Sequence, residues 1–281
     1  MSQIGAHVSA AGGLYNAALN AKAEGLETFQ MFSRPPQSFK CPELTAEAVT
    51  KFKDTVQQCG YTNYYVHAPY LLNLASAKPS LRHASITMLR QELDRGSRLG
   101  VKGVMFHTGS AASQPDRATG VAVAIKSLNQ VLAGYTGTCL LLLENAAGSG
   151  SVLGCTFPEL KQLYSGIEKA KHAQVGFCLD TQHAFGSGYD LRSEALINET
   201  ISQFDKYLGL KKLICIQVND SKVDFNSKKD RHEHIGLGKI GQAAFKYLLN
   251  HPKLKDQDFI LETPAAGRAD DVAILKKFRQ I

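Results

Sequence analysis

Imidazoles and carboxylates are the side chains from which divalent-metal sites are built, and five of them are placed together by pattern: His67, His107, Glu144, Asp180 and Glu262. The first four recur about every 40 residues. Each of the five ends a short apolar run, or lies within a residue or two of its end. A lone histidine in such a place is more often a satisfied core residue, and a lone glutamate more often caps a helix or pairs with a lysine. Those readings do not account for five such residues at the same end of successive runs. A second set, His183, Asp230 and His232, lies in "LDTQHAFGSGYD" and "KDRHEHIGLG". Two histidines and a carboxylate make a three-ligand site with an open position for water or phosphate. Clustered metals suit phosphodiester hydrolysis, because they activate water near neutral pH, neutralise non-bridging oxygens and stabilise the leaving alkoxide.

The elements that must position these residues are eight apolar runs, read as strands at Ile4–Val8, Thr28–Phe32, Tyr64–His67, Gly103–His107, Cys139–Asn145, Gly176–Asp180, Leu213–Asn219 and Phe259–Glu262. They are continuously apolar, as strands buried on both faces are. Between them lie stretches with helical spacing, including Ala46–Cys59, Leu81–Leu99, Ala118–Leu132 and Thr156–Ala170. Eight βα units in 281 residues predict an α/β fold, a TIM (β/α)8 barrel forming a single domain over residues 1–281. In that fold the carboxyl ends of the strands converge on one mouth. An open doubly wound sheet would carry a glycine-rich phosphate turn early in the chain, and Gly12 and Gly13 do not have that spacing. The long irregular segment Ser221–Lys239 reads as a working loop over the mouth.

Apolar residues make up 44% of the chain, enough for a sizeable core, and the net charge of +7 favours phosphate-rich partners without specifying one. The N-terminus lacks a signal-peptide pattern and no apolar run is long enough to span a bilayer. The expectation is an intracellular protein without a membrane partner, cytoplasmic if bacterial. Six cysteines with no CxxC pair read as buried reduced thiols. His83, His172 and His251 are expected on the surface, His232 is preferred to His234 as a ligand, and His7 either faces the site or supports it.

Taken together, "IGAHVSAAGGL", "YLLNL", "FHTGS", "LLLENAAGSG", "LDTQHAFGSGYDLR", "NDSK", "DRHEHIGLG" and "ILETP" resemble the endonuclease IV family of zinc-dependent abasic-site endonucleases along essentially the whole chain. The resemblance implies a TIM barrel with up to three Zn2+ ions. It assigns His67, His107 and Glu144 to the first, Glu144, Asp180 and Glu262 to the second, and His183, Asp230 and His232 to the third. It implies hydrolysis 5′ to abasic sites in duplex DNA, leaving a 3′-hydroxyl and a 5′-deoxyribose phosphate, with Glu144 and Glu262 orienting the attacking water. It also implies removal of blocked 3′ ends, by a monomer.

One position departs from the pattern. Where the family places a histidine in the second site, this chain has Gln217, whose carbonyl oxygen is a weaker and harder donor. The expectation is a weakened second site, or one taken by Mn2+ or Mg2+. For DNA, the resemblance offers Tyr70 and Leu71 as a wedge in the base stack, while Lys222, Lys228, Lys229 and Arg231 give the late loop either a phosphate-contacting face or a solvated charge run. Gln37 stands where the family often has an arginine, and Arg34 is the candidate to reach the groove in its place. Two other functions stay open: a damaged-DNA-binding homologue inactivated at Gln217, and a sugar isomerase or epimerase of the xylose isomerase type.

Overall fold

Residues buried on both faces pair edge to edge until no edge remains. A computed structural model describes residues 2–279 and shows this outcome. The strands are β1 (Ile4–His7), β2 (Thr28–Met31), β3 (Tyr64–His67), β4 (Gly103–Phe106), β5 (Leu140–Glu144), β6 (Val175–Asp180), β7 (Leu213–Gln217), β8 (Asp220–Ser221), β9 (His232–Glu233) and β10 (Asp258–Leu261). Eight of them, all parallel, close into a barrel in the order β1-β10-β7-β6-β5-β4-β3-β2, while β8 and β9 form a small antiparallel pair at the mouth. The fold is the (β/α)8 barrel that the alternation predicts, with strand limits shifted by one or two residues.

Helices connect the strands with local signals that match their limits. Ala46–Cys59 starts where Thr45 accepts the Ala48 N–H at 3.2 Å, and stops at Gly60, whose φ of 83° ends the helix in the left-handed region. Pro79–Leu99 begins on a proline at its first turn and buries Met88, Leu89 and Leu93. The stretch expected as one helix over Thr156–Ala170 divides. Phe157–Ser165 stops at Gly166, and a 3-10 turn follows at Lys169–Gln174. The division has a visible cause, because the Gly166 carbonyl accepts from the Asn129 side chain at 2.9 Å instead of continuing the helical ladder.

Two apolar layers result. The larger lies between the helices and the outer face of the barrel. The smaller fills the barrel axis with Tyr65, Met105, Leu142, Cys178, Cys215 and Ile260, all fully buried. Cys178 and Cys215 face each other at 3.6 Å between sulfurs without a bridge, and all six cysteines are free. Four are buried as expected, while Cys41 is exposed and Cys59 half-buried. No helix among the described residues is long and apolar enough to cross a membrane.

Candidate metal centre

Side chains on a strand alternate between faces, so the residue two after an axial one points the same way, one layer nearer the mouth. Tyr65, Leu142, Cys178 and Cys215 are axial, and two residues on from them stand His67, Glu144, Asp180 and Gln217. Met105 and Ile260 are followed in the same register by His107 and Glu262, just past the ends of β4 and β10. The candidate site is therefore the polar layer stacked on the apolar axis.

His67, His107 and Glu144 bring ligand atoms into one group. His67 Nε2 lies 3.2 Å from Glu144 Oε2, and His107 Nε2 lies 3.0 Å from Glu144 Oε1. The other ring nitrogen of His67 donates to the Ala68 carbonyl at 2.7 Å, which fixes the ring and turns Nε2 inward. Burial disfavours charge on His67. The hydrogen bond and charge of Glu144, joined by the charge of Glu262, outweigh it and push the imidazole up to about 9. Burial also acts against the Glu144 anion, but the charge of His107 and hydrogen bonds from His107, His183 and His67 hold it well below the usual carboxylate range.

Asp180, His183 and His232 form a second group. Asp180 Oδ1 caps the short helix Thr181–Ser187 by accepting the His183 N–H at 2.7 Å, so the three-residue spacing is that of an N-cap. From the late loop, Asp230 lies 3.2 Å from His183 Nε2 and 3.4 Å from His232 Nε2. Both of these nitrogens are buried, and neither makes a hydrogen bond. Buried ring nitrogens grouped with carboxylates are the arrangement a divalent cation satisfies. The two groups meet at Glu144, whose Oε1 is also 3.1 Å from His183 Nδ1.

Two asparagines that the sequence reading did not single out hold these ligands. Asn145 exchanges bonds with the Asp180 backbone at 2.7 and 3.0 Å, and its own carbonyl lies 2.9 Å from His183 Nδ1. Asn219 donates to Asp180 Oδ2 at 2.7 Å and accepts the Glu262 N–H at 2.8 Å. Each follows a strand-end site residue closely, which is the one signal the sequence carried.

Gln217 is fully buried, and its carboxamide is turned otherwise than a ligand requires. Nε2 donates to Glu262 Oε1 at 2.9 Å, while Oε1 accepts from the Cys178 thiol at 3.3 Å. Gln30 donates to the same Glu262 oxygen and lies 2.8 Å from His7 Nδ1. His7 thus supports the site through Gln30. Burial, with the nearby charges of His67 and Arg268, pushes its pKa down to about 3. Burial raises Glu262 above its usual value; the charge of His67 opposes this and that of Glu144 adds to it.

The mouth is a cavity of about 220 Å³ bounded by Phe32, Tyr70, His107, His232 and Glu262 among others. Tyr70 is 55% exposed with its ring edge on Phe32, Leu71 is half-buried beside it, and Gln37, Lys222, Lys228, Lys229 and Arg231 are exposed. Arg34 requires a correction. It does not reach outward, because Glu92 from the helix Pro79–Leu99 captures its guanidinium in a fully buried ion pair and Gln91 accepts a further bond at 3.1 Å. His251 is corrected too: it is buried, 3.0 Å from Asn198 Oδ1. His234 turns away to Asp271 at 2.7 Å, leaving His232 in the site as expected.

The late loop is pinned from below by Asp220, a fully buried carboxylate. It accepts backbone N–H groups from Ser221, Gly236, Gly238, Ile240 and Gly241 at 2.7–3.3 Å. Gln182 adds a second anchor, donating to the Lys229 carbonyl at 2.9 Å and accepting from the Arg231 N–H at 3.2 Å. Asp230 and His232 are carried into place between these two anchors.

Residues 18–278 match a family model described as a xylose isomerase-like TIM barrel. A protein of Halothermothrix orenii named "Probable endonuclease 4" is 38% identical over 279 residues, covering 99% of both chains. The chain belongs to the endonuclease IV family. Crystallographic endonuclease IV from Thermus thermophilus superposes with a TM-score of 0.85 at 32% identity, covering 98% of each chain. A D-tagatose 3-epimerase-like protein superposes at 0.75 with 18% identity, covering 98% of this chain and 96% of its own, a likeness of fold alone.

Proposed function

We propose that the chain is a metal-dependent endonuclease that hydrolyses the phosphodiester 5′ to abasic sites in duplex DNA, leaving a 3′-hydroxyl and a 5′-deoxyribose phosphate, and that it also clears blocked 3′ ends. The observation that carries this reading is a pair of ligand groups at the barrel mouth of an endonuclease IV family member, in contact where the buried Glu144 of the first lies 3.1 Å from His183 of the second. His67, His107 and Glu144 would hold one ion, and Asp180, His183, Asp230 and His232 another. Imidazoles and carboxylates at such spacing suit zinc. When bound, the ions supply positive charge against the phosphate and activation of water near neutral pH.

The protein's own side chains do the rest. Asn145 and Asn219 fix Asp180, and the Asp180 cap fixes His183. Glu262 borders the cavity, where with Glu144 it orients the attacking water. Tyr70, exposed at the rim, with Leu71 beside it, fills the gap left by the missing base while the sugar-phosphate turns out toward the cavity. Lys222 and Arg231, exposed on the pinned loop, contact flanking phosphates, and Gln37 lies on a second exposed loop facing the same partner.

The test is incision of a labelled duplex carrying one synthetic abasic site, with a chelator-treated control and the new end identified. A metal-dependent cut on the 5′ side with a 3′-hydroxyl is expected. An intact, bound duplex in the presence of zinc, manganese and magnesium would sink the reading and favour a protein that binds damage without cutting, with Gln217 as the cause.

A further inference from the structure

The family resemblance carries an expectation of three ions, with Gln217 standing where a histidine would join Asp180 and Glu262 at the second. The side chains around that position do not fit an ion. Gln217 meets Glu262 through its amide nitrogen, whose lone pair is delocalised and which offers only protons. Gln30 brings another amide N–H to the same carboxylate oxygen, and the Gln217 nitrogen also lies 3.3 Å from Gln30 Oε1. The one donor atom Gln217 could give a metal, its carbonyl oxygen, faces the Cys178 thiol instead. Turning the amide round would set that oxygen against the Glu262 carboxylate and break the bonds to Glu262, Gln30 and Cys178 together.

The neighbouring carboxylate is committed elsewhere: Asp180 groups with His183 and His232, and Asn219 holds its Oδ2 at 2.7 Å. Among the described residues, two groups of three or more His, Cys, Asp or Glu converge closely enough to hold an ion, and Glu262 is in neither.

We infer that this centre is built for two ions, one at His67, His107 and Glu144 and one at Asp180, His183, His232 and Asp230, and that Gln217 with Gln30 occupies the remaining position, the second of the three implied, as an amide clamp on Glu262. Gln217 is then a positioning residue and not a ligand. The inference rests on the metal-dependent reading above.

The test counts zinc. The full chain is stripped with chelator, reloaded with zinc chloride and desalted, and metal per chain is read by elemental and native mass spectrometry. The wild type is expected to keep about two zinc ions, the Gln217→His variant about three, and the Gln217→Met variant, which lacks the carboxamide, about two. A wild type that keeps three overturns the inference, and this measurement needs no variant to fold. A folded Gln217→His variant that stays at two overturns it as well, as does a folded Gln217→Met variant that drops below two. A wild type that keeps none defeats the metal-centre reading as a whole, whereas one that keeps three defeats the inference alone, so the two failures are told apart.

Discussion

Two carboxylates at the barrel mouth, Asp180 and Glu262, are held by neutral amides. Asp180 receives Asn219 on one oxygen and caps a helix with the other, so its two lone-pair directions toward the site are fixed before any ligand arrives. Asn219 also fixes the backbone N–H of Glu262 and thereby couples two strand ends. Removing groups of this kind typically costs about 10–100-fold in metal affinity or activity. Asn219→Ala is expected to lose zinc affinity by a factor in that range, measured by competition with a chromophoric chelator; affinity equal to the wild type would refute the role. Residue types and spacing made His67, His107, Glu144, Asp180 and Glu262 legible as candidate ligands, because each stands two residues after an apolar residue of the barrel axis. They could not orient an amide. The direction of Gln217 depends on Cys178 and Glu262, 39 and 45 residues away. Nor could they locate the partner of Arg34, a glutamate 58 residues further on, so a cation expected outside is found buried.

Element ends do much of the positioning. His183 rides in the first turn of a helix started by another site residue, so one cap sets the separation of two candidate ligands. His251 shows a different use of a helix end. It terminates Gln242–Asn250 with Nε2 3.0 Å from Asn198 Oδ1 and Nδ1 accepting the Lys253 N–H at 3.2 Å. Burial, aided by the charge of Lys253, lowers its pKa. The folded state therefore binds this proton less readily than the unfolded chain, whose histidine titrates near 6.5. Its stabilisation is fully present above about pH 6.5 and is lost as pH falls through that value toward the lowered folded one. Melting temperatures are expected to drop between about pH 7.5 and 5.5, and to drop less in His251→Asn; equal slopes in the two proteins would refute the assignment. Spacing alone left this histidine looking like surface, because its side-chain partner Asn198 stands on the helix Glu194–Leu208, 53 residues away.

At the scale of the molecule, eight two-sided apolar runs could close only as a barrel, and closure gathers the site residues from successive strand ends at one mouth. That much of the fold was readable in advance. The mouth's rim was not, since loops lack periodicity and their shape is set by anchors elsewhere in the chain. The excess of seven positive charges bears on association with DNA. Binding to duplex is expected to weaken as salt rises. Lys222→Ala and Arg231→Ala should each reduce the log–log salt slope by about 1 while weakening damaged and undamaged duplex alike. Fluorescence anisotropy over a salt series measures this, and an unchanged slope would remove either residue from the phosphate-binding face.

Asp220 grips the late loop through main-chain N–H groups, which every residue type except proline possesses. The loop's course is thereby largely decoupled from the identity of its outward side chains. Positions such as Lys222 and Lys229 can change over evolutionary time, or be exchanged by design, without moving Asp230 or His232. The end of the loop that carries Asp230 and His232 is kept constant while its outer face is left open to change.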